Sequence, residues 1–287
     1  MSLPSCILVV PPEEKAVVDK EMGQEGVFPP LGLAYLASVL RNNRIQVKII
    51  DALACNLSVE NICGTIKKEE PDFCGITVLS QQVGAALKLA AKIKQVSALT
   101  KIVLGGPHIH FEHESIITES NVDYCVRGEG ELTLLELIQA VVGNHNLGTV
   151  KGVTFKDDTG HVVVNPGRPY LQNLDEIPFP ARDLLPMEAY RPPIALGSGK
   201  LFASILATRG CPYKCNYCCL SAMWGLQRRR SVENVLAEIE QCVKNMGVKR
   251  LSFVDDLLVV NNRWAIELFR GMREREIDVE WDCTGRI

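Results

Sequence analysis

The sequence has almost no charge excess: 31 Lys and Arg stand against 34 Asp and Glu, a net charge of −3 over 287 residues. That balance advertises neither nucleic acid nor a membrane surface as a partner, so a small-molecule substrate is the default expectation. Long apolar runs are missing too. None approaches the roughly 18 residues of a membrane span, and the start, M-S-L-P-S-C, lacks a charged segment ahead of an apolar core. A soluble, cytoplasmic protein with no membrane span is expected. The 11 cysteines do not read as a disulfide framework, because the count is odd and the chain is long. Cys6, Cys55, Cys63, Cys74 and Cys125 are scattered singly in apolar surroundings and read as reduced core residues.

The remaining cysteines are another matter. Thr208 to Leu220 reads T-R-G-C-P-Y-K-C-N-Y-C-C-L, with Cys211, Cys215 and Cys218 in C-x3-C-x2-C spacing. Thiolates this close supply soft ligands to one small inorganic centre, and Gly210 and Pro212 fix an irregular backbone around it. Three thiolates leave one corner of such a centre open. On spacing alone an iron-sulfur cluster, a zinc site completed by Cys219 or a distant residue, and a structural thiol cluster all fit.

The length suggests about two domains at about 150 residues each. Residues 5 to 143 alternate short β-branched runs with helical patterns, the signature of a parallel sheet covered on both faces. Strands are expected at Cys6 to Val10, Ile45 to Ile50, Phe73 to Val78, Lys101 to Leu104 and Val122 to Val126. Helices are expected near Leu31 to Asn42, Val59 to Glu69, Val83 to Val96, Ser115 to Glu119 and Glu131 to Val142. The fold class is α/β, a doubly wound, Rossmann-like parallel sheet of five strands over residues 1–143, for which the order 2-1-3-4-5 is one common choice.

Ligands of such sheets bind beyond the carboxyl ends of the strands. Those ends read P-P-E-E after the first strand, T-V-L-S-Q-Q after the third, G-G-P-H after the fourth and R-G-E-G-E after the fifth. Thr77, Ser80, Gly105, Gly106, His108, Gly128, Glu129 and Gly130 therefore collect on one rim, where glycine lets backbone approach a bulky ligand. Each turn alone also reads as a tight strand-to-helix connection.

Residues 144–200 change character. V-T-F-K-D-D-T-G-H-V-V-V predicts a β-hairpin, and N-L-D-E-I-P-F-P-A-R-D-L-L-P, rich in proline, predicts a connecting strap. From 201 to 287 the pattern becomes strand, cysteine loop, helix, strand. Ser204 to Ala207 is the first strand, and Ser231 caps a helix that Gly247 stops. Arg250 to Val254 is the second strand, ending in Asp255 and Asp256, and Asp278 to Cys283 begins a third after a helix carrying Ala265, Leu268 and Met272. These repeats read as the opening of a (β/α) barrel, far short of the roughly 250 residues of a full one, so the chain is expected to be the amino-terminal portion of a longer protein.

P-P-L-G-L-A-Y-L-A-S-V-L-R, I-I-D, P-D-F-C-G-I-T, I-V-L-G-G-P-H and Y-C-V-R-G-E-G-E-L-T resemble the cobalamin-binding domain of the B12-binding radical S-adenosylmethionine (SAM) proteins. L-D-E-I-P-F-P-A-R-D resembles that family's inter-domain strap, and T-R-G-C-P-Y-K-C-N-Y-C resembles its cluster motif. The resemblance implies a [4Fe-4S] cluster on Cys211, Cys215 and Cys218, with SAM on the fourth iron and Tyr217 against its adenine. It places Asp255 or Asp256, in F-V-D-D, near SAM or substrate, although the family's more common G-G-E is missing there. It implies cobalamin on the glycine-rich rim. D-x-H-x-x-G, whose His ligates cobalt in methionine-synthase-type domains, is absent; the first loop carries Pro11, Pro12, Glu13 and Glu14 instead. The basic run Arg228 to Arg230 ahead of Ser231 could meet a carboxylate or form a solvated face.

The implied activity is methyl transfer from SAM, by way of cobalamin, to an unactivated centre of a small molecule, with a flavodoxin- or ferredoxin-type one-electron reductant. The alternatives are a cobalamin-associated radical cyclisation, rearrangement or oxidation, and a non-catalytic cobalamin or iron-sulfur binding or sensing module.

Overall fold

The amino-terminal run C-I-L-V-V is buried residue after residue, which a parallel strand covered on both faces requires. In a computed structural model that describes residues 3–12, 26–192 and 200–285, this strand, β1 (Ser5–Val10), lies between β2 (Gln46–Asp51) and β3 (Phe73–Thr77), parallel to both. β4 (Lys101–Gly105) and β5 (Tyr124–Val126) continue the parallel sheet, so the first five strands stand in the expected order 2-1-3-4-5. Gly75 faces Leu8 across the β1–β3 pair, and a Cβ there would lie 2.8 Å from a Leu8 methyl. Glycine at that position makes room for a large β1 side chain.

Five helices follow the strands: α1 (Leu31–Asn42), α2 (Val59–Glu69), α3 (Val83–Val96), α4 (Pro107–Glu119) and α5 (Gly130–Val142). Ser58 and Asn61 close a capping box at the start of α2, and the left-handed Glu70 ends it. Ile7, Val9, Ile76, Leu89, Ile93, Ile102 and Leu104 join the sheet to the helices in one core, each fully buried side chain contributing about 1.5–3 kcal/mol. α4 is longer than the sequence pattern suggests. Pro107 starts it at a position where the missing N–H costs nothing, and Glu112 bends it, so Ile109 and the pair Ile116 and Ile117 are buried on either side of a kink that breaks the stripe.

The hairpin, β6 (Val153–Lys156) and β7 (Val162–Val164), does not stand apart. β6 pairs antiparallel with β5, and the sheet has seven strands in the order β2-β1-β3-β4-β5-β6-β7. Pairing satisfies the N–H and C=O groups that the edge of β5 would otherwise expose. Val153, Thr154 and Phe155 are buried by it.

The described residues divide into two units, the first holding 3–12, 32–170 and 180–186, the second 26–31, 171–179, 187–192 and 200–285. The second unit is built on a parallel sheet of three strands in the order β12-β11-β8: β8 (Phe202–Ile205), β11 (Arg250–Phe253) and β12 (Glu280–Cys283). After β8 come the short strand β9 (Thr208–Arg209), the cysteine loop, α6 (Leu220–Trp224), and β10 (Arg228–Arg229), which pairs back antiparallel onto β9. α7 (Val232–Glu240) is capped by Ser231 and runs on as a π-helical turn over Gln241–Asn245. α8 (Asn262–Glu274) packs against α7 so closely that a Cβ on Gly271 would lie 2.5 Å from Leu236 Cδ1. Glu13 and Glu14 of the first loop lie outside the described residues.

Candidate active site

The cysteine loop leaves the carboxyl end of β8, the edge of a parallel sheet at which ligands collect. Its entry is tightly held. Arg230 donates its backbone N–H to Ala207 O (3.0 Å) and its guanidinium to Leu206 O (3.1 Å). Thr208 and Arg209 pair with Arg229 and Arg228. Gly210, at φ +86°, sits among the carbonyls of Trp224, Gly225 and Leu226, and a Cβ would stand 2.9 Å from two of them. No residue but glycine fits there.

Beyond Gly210 the loop opens. Cys211, Cys215 and Cys218 are free and half-buried, and the Cys218 N–H donates to Cys215 O (3.0 Å), turning the chain between the second and third thiols. Cys219 is exposed, and Tyr217 is 88% exposed. Among the described residues no three His, Cys, Asp or Glu side chains are gathered closely enough to hold a metal ion as they stand. A [4Fe-4S] cluster takes one thiolate on each of three irons, so its cysteines need not converge on one point. Three free, accessible thiols on one short anchored loop fit that group.

Asp255 and Asp256 follow β11 beside this loop and meet different fates. Asp255 is 3% exposed and accepts the backbone N–H groups of Ala207 (3.1 Å) and Thr208, together with the Thr208 hydroxyl. Burial pushes its carboxyl up to about 6, against the pull of those donors. Asp256 is half-buried, raised by burial, and accepts the Gly210 N–H. Both carboxylates thus point into the backbone that leads to Cys211.

Of the basic run, Arg228 and Arg230 are structural, while Arg229 is exposed. Arg230, 5% exposed, is ion-paired with the fully buried Glu238, bonds Asn234 Oδ1 (2.6 Å) and lies 5.4 Å from the Phe179 ring centroid. Arg228 donates to Leu171 O (2.8 Å). Gln227, which the sequence did not single out, joins the loop's two sides by donating to Leu257 O (2.7 Å) and Thr208 Oγ1 (3.5 Å).

In the first unit the glycine-rich rim is assembled at the carboxyl ends of β3, β4 and β5. Val78 N donates to Gly105 O (2.8 Å), His108 N to Val78 O (3.2 Å), and His108 Nδ1 lies 3.2 Å from Ser80 Oγ. Gly106, at φ +105°, approaches Thr77 Oγ1 and the Val78 backbone, so Thr77, Ser80, Gly105, Gly106 and His108 form one group. Gly128, Glu129 and Gly130 lie on the same edge after β5. Gly130 makes room for Leu36, whereas a Cβ on Gly128 would meet nothing within 4 Å. Gly106 and Gly130 therefore serve the protein's own packing, whereas Gly128 leaves open space for a ligand. A cavity of about 870 Å³ lies instead at the amino ends of β4 and β5, where Lys94 pairs with Asp123 (2.7 Å).

Residues 24–138 match the model of the B12 binding domain, and residues 205–286 match that of the radical SAM superfamily. The chain thus carries a B12 binding domain followed by a radical SAM domain. An uncharacterized methyltransferase of Pyrococcus horikoshii is 37% identical over 100% of this chain and 61% of that protein. The anaerobic magnesium-protoporphyrin IX monomethyl ester cyclase of Rubrivivax gelatinosus is 30% identical over 91% of this chain and 47% of that protein. The cobalamin-dependent SAM radical enzyme OxsB, solved with aqua-cobalamin and SAM bound, superposes with a TM-score of 0.78 at 22% identity, over 98% of this chain and 38% of that one. The chain thus spans about half to three-fifths of the length of these two relatives.

Four of the five scattered cysteines lie in the core as the sequence suggests, and burial pushes Cys6 and Cys125 up to about 12. Cys55 does not: it is exposed in the turn after β2, between half-buried Ala54 and exposed Asn56. None of the 11 cysteines is in a disulfide. Among the described residues no helix is long and apolar enough to cross a membrane.

Proposed function

We propose that the protein is a cobalamin-dependent radical SAM enzyme that transfers a methyl group from SAM to an unactivated centre of a small molecule. The observation that carries this reading is the anchored loop of three free, accessible thiols at the carboxyl end of β8, in a chain that also bears a B12-binding domain. Cys211, Cys215 and Cys218 would hold the [4Fe-4S] cluster, leaving one iron for the amino and carboxylate groups of SAM. Tyr217, lying in the open beside Cys218, would cover the adenine. Thr77, Ser80, Gly105, Gly106, His108, Gly128, Glu129 and Gly130 would line the cobalamin, with no imidazole from a first-loop D-x-H-x-x-G motif. When bound, the cluster supplies one electron for cleaving SAM, and cobalamin supplies a methyl carrier. The chain's own groups fix the loop, leave its thiols uncovered and present the rim. A one-electron donor of the flavodoxin or ferredoxin type would load the cluster, and the free thiols suit the reducing cytoplasm.

The cyclase relative supports a second reading, cyclisation or oxidation without methyl transfer. Anaerobic incubation of the loaded protein with SAM, hydroxocobalamin, reductant and candidate substrates separates the readings by product. S-adenosylhomocysteine with a methylated product supports methyl transfer, 5′-deoxyadenosine alone supports the second reading, and neither product from a fully loaded protein leaves a binding module.

A further inference from the structure

The two carboxylates that follow β11 occupy a place where a positively charged ligand group could be received, yet their hydrogen bonds run elsewhere. Three residues of the chain before Cys211, Ala207, Thr208 and Gly210, converge on them. Ala207 N lies 3.1 Å from Asp255 Oδ1 and 3.3 Å from Oδ2, and Thr208 donates both its N–H and its hydroxyl to the same group. Gly210 N–H goes to Asp256. On the other side of this strand Arg230 takes Leu206 O and Ala207 O. Peptide N–H groups directed at an ionised carboxylate are among the stronger hydrogen bonds available to a loop. The segment cannot step away from β11 without leaving a buried carboxylate short of its donors.

We propose that Asp255 and Asp256 are positioning residues that fix where Cys211 meets the cluster, rather than ligands of SAM. The inference rests on the cluster reading given above. The pair divides the work: Asp255 holds the strand side of the loop entry, and Asp256, in the bend after it, holds the residue next to the first thiol. Cys215 and Cys218 lie farther along the loop, in the turn that the Cys218 N–H closes on Cys215 O.

The test compares wild type with Asp255→Asn, Asp256→Asn and the milder Thr208→Val after anaerobic reconstitution. Three quantities are read: iron and labile sulfide per chain, the rate of iron release to a chelator, and the electron paramagnetic resonance (EPR) spectrum of the reduced cluster with and without SAM. Circular dichroism and hydroxocobalamin binding, which reports on the other unit, show that each variant is folded. Positioning predicts iron release faster by on the order of tenfold in Asp256→Asn, less in Thr208→Val, and an altered cluster spectrum already in the absence of SAM. The SAM-induced spectral change persists in whatever fraction is loaded. Full, stable clusters with a wild-type spectrum that no longer respond to SAM would overturn the proposal, and so would variants indistinguishable from wild type. A wild-type chain that takes up no iron and sulfide would instead overturn the cluster reading itself.

Discussion

A Cβ on Gly106 would stand 3.0 Å from both the backbone N and the backbone O of Val78. The close approach locks the turn after β4 against the end of β3, with Gly106 at φ +105°, where side chains are strained. Gly106→Ala should cost about 1–3 kcal/mol and, because it moves Thr77 and His108 together, weaken hydroxocobalamin binding. Gly128→Ala, at φ +71° but in open space, should cost only about 1–2 kcal/mol while still weakening binding, since the cofactor is proposed to approach there. Urea unfolding and absorbance titration measure the two effects separately.

The buried pair of Arg230 and Glu238 stabilises the entry to the cysteine loop from outside the site. Glu238→Gln removes the carboxylate charge facing Arg230 in a place water does not reach, which should cost about 3–5 kcal/mol and show as a large fall in Tm. A fall comparable to that of an exposed pair such as Lys48 and Glu69 would mean that the site is less dry than its burial indicates.

Asp255 should imprint a pH dependence on stability. Its folded-state carboxyl is raised from 3.8 to about 6 by burial, so between those values the folded chain keeps a proton that the unfolded chain has lost. Its contribution is therefore fully present below the ordinary carboxylate value and is lost as pH rises through about 6. The loss is on the order of 3 kcal/mol. Urea unfolding of the cluster-free chain from pH 4 to 7 checks this: the difference between wild type and Asp255→Asn should change across that window and level off above it.

Tyr217, exposed and without a packing role, should be replaceable by Ala with no change in Tm and no change in cluster content. SAM affinity, read from the SAM-induced change in the cluster's EPR signal, should fall. Unchanged affinity would remove Tyr217 from the SAM site.

Much of this molecule was legible because its patterns are local. The helical spacing of Val59–Glu69 places that helix, and C-x3-C-x2-C marks a thiolate site whose chemistry the flanking T-R-G-C-P-Y narrows only through the family resemblance. The hairpin's docking onto β5 was not legible, since alternation marks a strand without naming the edge it will cover. Nor was the length of α4, whose histidines interrupt the apolar spacing of Ile109 and Ile116. The aspartate pair was found by motif, but its partners are backbone N–H groups 46 to 48 residues away in sequence, and a backbone donor carries no sequence signal. Gly210 had a signal in its residue type, while the carbonyl cradle of Trp224, Gly225 and Leu226 around it did not.

The account stands most directly on the metal content of the cysteine loop. Iron, acid-labile sulfide and zinc should be measured after anaerobic reconstitution of wild type, of Cys211→Ala, Cys215→Ala and Cys218→Ala, and of Cys219→Ala. The expected result is about four irons and four sulfides per chain in wild type and in Cys219→Ala, with a marked loss in each of the other three variants. Bound zinc with no labile sulfide, or a loss in Cys219→Ala equal to the others, would contradict it.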